Sequence, residues 1–107
     1  MKQLTRNLLA MCLHGIDIDN VEKVEFAFSQ NLRSTPLKLA EFPGDDTVDL
    51  GNNTIGVIWT PQDTMLFESG ESFYADTRIT MNNSEYQPYT PIVKLKMEHT
   101  LFETAVI

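Results

Sequence analysis

The feature of this sequence that most constrains its fold is an alternation of apolar and polar residues in short segments separated by turn residues. In the clearest segment, residues 73–81, Phe73, Ala75 and Ile79 fall on one face of an extended chain, and Tyr74 and Asp76 fall on the other. A period of two is the pattern of a β-strand with one face on a core and one in water. Turn residues recur about every eight to fifteen positions, which is typical of a β-sandwich or a small barrel.

About seven strands are expected, too closely spaced for the long crossover helices of a parallel sheet. The apolar side chains of these strands are expected to face a shared core. In the strand at residues 37–39 this places Leu37 and Leu39 inward and Lys38 in solvent. The run from Leu8 to Leu13 is apolar without alternation, so both of its faces are expected to be partly covered. The segments lie around residues 8–13, 24–28, 37–39, 48–50, 55–59, 73–81 and 93–97.

One short helical turn is predicted near residues 61–67. Thr60 is a favourable N-cap, Pro61 suits the first helical position, and Asp63 occupies the acidic position of a capping box. The three apolar residues at 65–67 are expected to anchor this turn in the core.

The chain has 107 residues, which fits one domain covering residues 1–107. Its single cysteine, Cys12, lies in the apolar run and is expected to be a buried small hydrophobic side chain. That run is too short for a signal peptide, and no segment has the roughly 18 apolar residues of a membrane span. We therefore expect a cytoplasmic protein without a membrane contact.

The charge of the chain argues against two classes of partner. The net charge is −7, from 15 Asp and Glu against 8 Lys and Arg, and the sequence pI is about 4.6. Nucleic-acid binding needs a concentrated positive face, whereas the basic residues here are scattered. Nucleic acids and anionic membrane surfaces are therefore not expected as partners.

No catalytic, cofactor-binding or metal-ligating residue is predicted. The two histidines, His14 and His99, lie in a turn and at the end of the last expected strand, and nothing in the sequence brings them together. The sequence contains no phosphate-binding glycine loop, no nucleophile elbow and no Cys-x-x-Cys pair. The protein is therefore not expected to be an enzyme.

Two acidic segments are the alternatives for metal binding. Asp17 and Asp19 begin like a calcium loop, but the later ligand and the glycine at the sixth position are missing. Asp45, Asp46 and Asp49 follow a Pro-Gly turn in a spacing that matches no known motif. Because turns are often acidic for backbone reasons, a solvated turn is the favoured interpretation of both segments. A small metal-dependent hydrolase that uses the second segment is the least favoured function.

The aromatic residues divide into a core set and a contact set. Tyr74 has the opposite phase to the core residues of its strand, and the other tyrosines border a proline-rich edge. Because tyrosine combines apolar area with a polar tip, it is enriched at protein interfaces. The predicted contact surface is Tyr74, Tyr86, Pro88, Tyr89 and Pro91, and the predicted core aromatics are Phe26, Phe28, Trp59, Phe67 and Phe73.

Several segments occur in the order that they have in a known family. They are residues 13–18 with 21–30, residues 55–67, where a strand leads into a Thr-Pro-Gln-Asp turn, residues 75–79, and the apolar end 105–107. In this order they resemble small prophage-encoded proteins of Gram-positive bacteria, whose middle motif is a strand, an acidic turn and a strand with Gln-x-Arg-Ile. The pattern is also similar to the immunoglobulin-like N-terminal domain of phage baseplate upper proteins.

The resemblance implies an all-β fold, an immunoglobulin-like antiparallel β-sandwich of about seven strands, with a structural or assembly role in a phage tail or baseplate. The implied partners are other virion proteins or further copies of this chain. The implied location is the bacterial cytoplasm during expression and the virion afterwards. A module that binds carbohydrate or a host surface through exposed tyrosines is the alternative function.

Overall fold

The computed structural model describes residues 6–13, 15–83 and 92–97. Within these ranges the chain forms seven β-strands and two short helices, which confirms the predicted all-β class. A 3-10 helix covers Ile18–Asn20. The other elements are β1 (Asn7–Cys12), β2 (Val21–Ser29), β3 (Lys38–Phe42), β4 (Thr47–Gly51), β5 (Thr54–Trp59), α1 (Pro61–Thr64), β6 (Ser72–Met81) and β7 (Val93–Lys96).

The strands form two antiparallel sheets, one of three strands in the order β1-β5-β4 and one of four in the order β3-β2-β6-β7. This is the order of an immunoglobulin-like sandwich in which β1 takes the place of strand B. The smaller sheet then corresponds to B-E-D and the larger to C′-C-F-G. The place of strand A, beside β1, is not filled by any of the strands described.

The core lies between the two sheets and is built on alternate residues of their strands. Phe28 of β2 and Trp59 of β5 make the main aromatic contact across the sandwich, with ring centroids 4.9 Å apart in an edge-on arrangement. Phe73 of β6 and Phe67 lie 5.4 Å and 5.3 Å from the same indole. All four side chains are buried, and so is Phe26, so the predicted aromatic core is confirmed.

The hairpin between β4 and β5 holds the sandwich together at one end. Asn52 and Asn53 both have positive φ, as a two-residue turn between twisted antiparallel strands requires. The Asn53 side-chain oxygen accepts a hydrogen bond from the N–H of Ile18 at 3.1 Å, and its carbonyl accepts one from Leu13 at 2.8 Å. The turn therefore also fixes the chain that leaves β1.

The predicted helical turn forms, but α1 covers Pro61–Thr64 and is shorter than the predicted residues 61–67. Thr60 Oγ1 accepts a hydrogen bond from the N–H of Asp63 at 3.1 Å, and the Asp63 carboxylate accepts one from the N–H of Thr60 at 2.9 Å. This confirms the capping box. Of the three apolar residues that follow, only Phe67 is buried, whereas Met65 and Leu66 are each about half exposed.

The predicted phase of β3 is wrong. Lys38 is buried, whereas Leu37 and Leu39 are exposed. Lys38 lies opposite Phe28 in the β2–β3 ladder, and side chains of directly paired residues share one face of a sheet. The strand turns Lys38 inward because its ammonium reaches the Asp63 carboxylate at 2.9 Å and lies 5.4 Å from the centre of the Trp59 ring.

Candidate protein-binding face of the three-stranded sheet

The outer face of the three-stranded sheet is apolar where an antiparallel sheet usually meets water with polar residues. Leu8 of β1 is 53% exposed, and Val48 and Leu50 of β4 are 40% and 43% exposed. We call this surface the apolar patch; it consists of Leu8, Ala10, Cys12, Val48, Leu50 and Ile58 around Gly56. Contiguous exposed apolar surface of this kind marks protein interaction sites.

Gly56 lies at the centre of the apolar patch, in register with Ala10 of β1 on one side and Val48 of β4 on the other. A Cβ atom at Gly56 would lie 2.8 Å from Leu8 Cδ1, 3.0 Å from Val48 Cγ1 and 3.1 Å from Leu50 Cδ1. These three side chains therefore converge over the backbone of Gly56 and form one surface across all three strands. A glycine inside a strand often marks such a close approach.

One end of the apolar patch opens into a groove of about 430 Å³ lined by Arg6, Asn7, Leu8, Val48 and Ile58. Arg6 is exposed just before β1 and is the one charged residue among the described residues of this lining. As far as the described residues line it, the groove therefore has a largely apolar floor and a cation at its rim.

The free side of β1 adds backbone groups to this face. The N–H of Leu13 donates to the carbonyl of Asn53 at 2.8 Å, so the polar backbone groups of Leu13 point toward β5. Because these groups alternate in direction along an antiparallel strand, those of Leu8, Ala10 and Cys12 point away from β5. No described strand pairs with that side of β1. The residues that carry the exposed apolar side chains therefore also present donors and acceptors at the sheet edge.

Cys12 is exposed on this face, so the expected burial of its thiol is wrong. The expectation of cover on both faces of the apolar run is wrong as well. In β1 one face is partly buried, at Leu9 and Met11, and the other is exposed. The signal for the apolar patch was present in the sequence, because an apolar run without alternation and a glycine within a strand both indicate contacts on the outer face.

Of the predicted tyrosine–proline surface, only Tyr74 lies within the described residues. Tyr74 is half-buried on the outer face of the four-stranded sheet, where it pairs with Ser29 and Lys94. It lines a shallow groove of about 120 Å³ with Asp76 and Ile92 among its neighbours. The other four residues of that prediction, Tyr86, Pro88, Tyr89 and Pro91, lie outside the described residues.

The outer face of the four-stranded sheet is charged, in contrast to the apolar patch. Glu25 of β2 is paired with Arg78 of β6, and Asp76 follows on the same face. Leu39 is 68% exposed there, among these charges. Leu32 and Ile92 are also exposed and line the adjoining groove, so this face mixes apolar and charged side chains.

In each of the two acidic segments a carboxylate accepts a hydrogen bond from the backbone. Asp17 Oδ1 accepts a hydrogen bond from the N–H of Asp19 at 3.0 Å, and Asp49 Oδ1 accepts one from Gly51 at 2.8 Å. Across the described ranges, no three His, Cys, Asp or Glu side chains are grouped to hold a metal ion. His14 and His99 lie outside those ranges.

The charge pair of Lys38 with Asp63 is part of the internal support of the fold. Burial alone raises the pKa of Asp63, but hydrogen bonds from the Thr60 N–H and the Lys38 ammonium, together with the ammonium charge, outweigh it and hold that pKa below its ordinary value of 3.8. The Lys38 side chain is 6% exposed and is already engaged by the carboxylate. This pair therefore fixes β3 against the cap of α1.

The fold and this face define an immunoglobulin-like sandwich with an uncovered apolar outer surface and an unpaired edge strand among its described residues. Comparison with family models, with curated proteins and with solved structures gave no significant match. No helix in the described part of the chain is both long and apolar enough to cross a membrane.

Proposed function

We propose that this protein is a non-enzymatic structural or assembly module that makes protein–protein contacts in a phage tail or baseplate through the apolar patch. The observation that carries the contact role is the coincidence of exposed apolar side chains and outward-pointing backbone groups at Leu8, Ala10 and Cys12. The virion setting rests on the resemblance of the sequence to prophage-encoded and baseplate proteins.

Covering the apolar patch would favour association with a partner, but it would not be sufficient by itself for a stable complex. Burying a leucine or valine completely contributes about 1.5–3 kcal/mol, so covering the exposed half of Leu8 and the smaller exposed fractions of Val48 and Leu50 contributes about 1 kcal/mol each. Association costs at least about 4 kcal/mol. A partner must therefore also use the backbone groups of the β1 edge, which favours a protein with an extended segment.

The experiment is co-expression with each protein encoded by the neighbouring genes, followed by size-exclusion chromatography with light scattering. We expect a complex with at least one tail or baseplate protein, and we expect Val48→Lys to abolish it because the ammonium would lie inside the contact. Leu39→Lys is the matched control, since Leu39 is an exposed leucine on the outer face of the other sheet.

Both variants must retain the circular dichroism and the Trp59 fluorescence of the folded protein. The proposal fails if no neighbouring protein binds, or if Leu39→Lys weakens the complex as much as Val48→Lys does. Binding to a glycan array that Val48→Lys leaves unchanged would also contradict it and would favour the carbohydrate-binding alternative.

A further inference from the structure

We infer that the outer face of the four-stranded sheet binds an extended, basic segment of a partner protein in a groove that follows β2. This face lies on the opposite side of the sandwich from the apolar patch, so the inference goes beyond the proposed function. We call the groove the acidic groove. Its floor is formed by Ala27 and Ser29, and its acidic side chains are Glu25, Glu41, Asp46 and Asp76.

The acidic groove exists because β2 carries small side chains on its outer face where its neighbours carry large ones. Ala27 pairs with Leu39 of β3 on one side and with Asp76 of β6 on the other. Ser29 lies on the same face and pairs with Tyr74. Three sections of about 290, 250 and 120 Å³ adjoin along β2, since each shares lining residues with the next. The result is one continuous depression between β3 and β6.

The width of the acidic groove favours an extended chain as its occupant. β3 and β6 lie two strand spacings apart, about 10 Å, and the side chains of the walls take up part of that distance. An α-helix with its side chains is about 10–12 Å across and does not fit between the walls. Because β2 is paired on both sides, its backbone groups are already used within the sheet. The bound chain must therefore be recognised through its side chains.

The acidic groove brings together more negative charge than its surroundings balance. Glu25 and Glu41 lie directly opposite each other in the β2–β3 ladder, an arrangement that destabilises a sheet. Lys23 Nζ lies 3.7 Å from Glu25 Oε1, and Arg78 pairs with Glu25 on the β6 side, so the charge of Glu25 is partly balanced. The acidic side chains of the groove that form no ion pair with any described residue are Glu41, Asp46 and Asp76.

These unbalanced carboxylates specify the chemistry of the partner. One cationic side chain near Glu41 and Asp46 and a second near Asp76 would relieve the repulsion within the groove. At the far end Leu32 and Ile92 are 63% and 52% exposed and line one section together, which suits an apolar side chain. Nucleic acids and acidic glycans are repelled by the same carboxylates. The occupant that fits both the charge and the apolar end is a basic protein segment.

The sheet also sets the spacing of the residues that bind. The cation-binding positions lie beside residues 25 and 27 of β2, and the apolar end lies beside residue 29. Side chains on one face of an extended chain are likewise two residues apart, about 6.6 Å. A segment that lies along β2 therefore presents two basic residues and one apolar residue at alternating positions, over about 13 Å.

The test compares two fluorescein-labelled peptides of one composition by fluorescence anisotropy at about 50 mM salt, where charge attraction is screened less than at physiological ionic strength. In Gly-Ser-Lys-Ser-Lys-Ser-Leu-Ser-Gly the two lysines and the leucine alternate with serine, whereas in Gly-Ser-Ser-Lys-Lys-Leu-Ser-Ser-Gly they are contiguous and point to both faces. We expect the alternating peptide to bind with a Kd below about 1 mM and the contiguous peptide at least about ten times more weakly. No saturable binding up to about 1 mM, or equal binding of the two peptides, would overturn the inference.

Two matched variants locate the binding site. Leu39→Lys places a cation in the wall of the acidic groove and should weaken binding of the alternating peptide at least about tenfold. Val48→Lys makes the same charge change in the apolar patch and should leave the affinity unchanged. An equal effect of the two substitutions would contradict a site in the groove. The complex expected through the apolar patch depends on these variants in the opposite way, so the inference and the proposed function can fail separately.

A third variant separates the shape of the groove from its charge. Ala27→Glu adds a carboxylate but fills the floor between Leu39 and Asp76. A peptide attracted by charge alone would bind this variant more tightly, whereas binding within the groove predicts a loss of at least about tenfold. Tighter or unchanged binding by an Ala27→Glu protein that keeps the wild-type circular dichroism and Trp59 fluorescence would overturn the inference.

Discussion

The most informative perturbation of this fold is Asp63→Ala, because it leaves a buried ammonium without its carboxylate. The Lys38 side chain is 6% exposed, and its Nζ lies 2.9 Å from Asp63 Oδ2. The same carboxylate oxygen accepts the N–H of Thr60 in the capping box. One substitution therefore removes both the ion pair and half of the helix cap.

The expected loss of stability is about 4 kcal/mol. Breaking a buried ion pair from one side costs about 3–5 kcal/mol, and the lower end applies because the Asp63 side chain keeps 26% of its surface in water. Loss of the cap adds about 1 kcal/mol. Lys38→Met removes the buried charge and keeps a flexible apolar chain over Trp59, so its cost should stay below about 1.5 kcal/mol.

The double variant Lys38→Met/Asp63→Ala distinguishes this explanation from a simple loss of contacts. With no buried charge left unpaired, its cost should be about 2 kcal/mol, so it should be more stable than Asp63→Ala alone. Urea unfolding followed by circular dichroism and by Trp59, the single tryptophan, measures this difference. At a slope near 1.5 kcal/mol per M, the two midpoints should differ by about 1.3 M.

The reasoning is refuted if the double variant is no more stable than Asp63→Ala. It is also refuted if Lys38→Met destabilises the protein as much as Asp63→Ala does, since the cost would then follow lost packing and not the unpaired charge.

Three further predictions concern pH, the core and a turn. Because the pKa of Asp63 is lowered in the folded protein, the charged carboxylate stabilises the fold at pH values above 3.8, the ordinary value, and this stabilisation is lost as the pH falls below 3.8. Asp63→Asn should therefore make thermal stability less dependent on pH between about pH 5 and pH 2. Trp59→Ala should cost about 3–5 kcal/mol in urea unfolding followed by circular dichroism, and Leu39→Ala less than about 0.5 kcal/mol; a cost below about 1 kcal/mol for Trp59→Ala would contradict its place in the core. Gly44→Ala should lower stability by about 1–3 kcal/mol in the same assay, because its Cβ would lie 2.5 Å from the carbonyl oxygen of Glu41, and an unchanged midpoint would contradict this.

The elements that sequence reasoning predicted well depend on neighbouring residues. The alternation in β6 places Phe73 and Ala75 in the core, and the capping box of Thr60 and Asp63 starts α1. In both cases the deciding contacts are between residues a few positions apart, or follow directly from the period of two along an extended chain.

The apolar patch came from the structure, and most of the predicted contact surface lies outside the described residues. Tyr74 lies on an outer face as its phase indicated, but on a charged one, and the apolar patch was not recognised. Leu8 and Val48 belong to strands that are far apart in sequence, and they meet only because β5 lies between β1 and β4 and carries Gly56 there. The apolar run of β1 and the glycine of β5 each indicated a contact on the outer face, but no local pattern shows that the three strands meet there.

What the sequence by itself determined is the strand periodicity, the turns, the helix cap and hence the all-β class. What only the tertiary structure decided is which face of an ambiguous strand turns inward. In β3 the period of two was correct and the phase was reversed, because Lys38 finds Asp63 and Trp59, which lie more than 20 positions later in the chain. In β1 both faces are apolar, so the packing of the opposite sheet chose the buried one. Periodicity defines two faces, and the partners that a face meets in space decide which of them is covered.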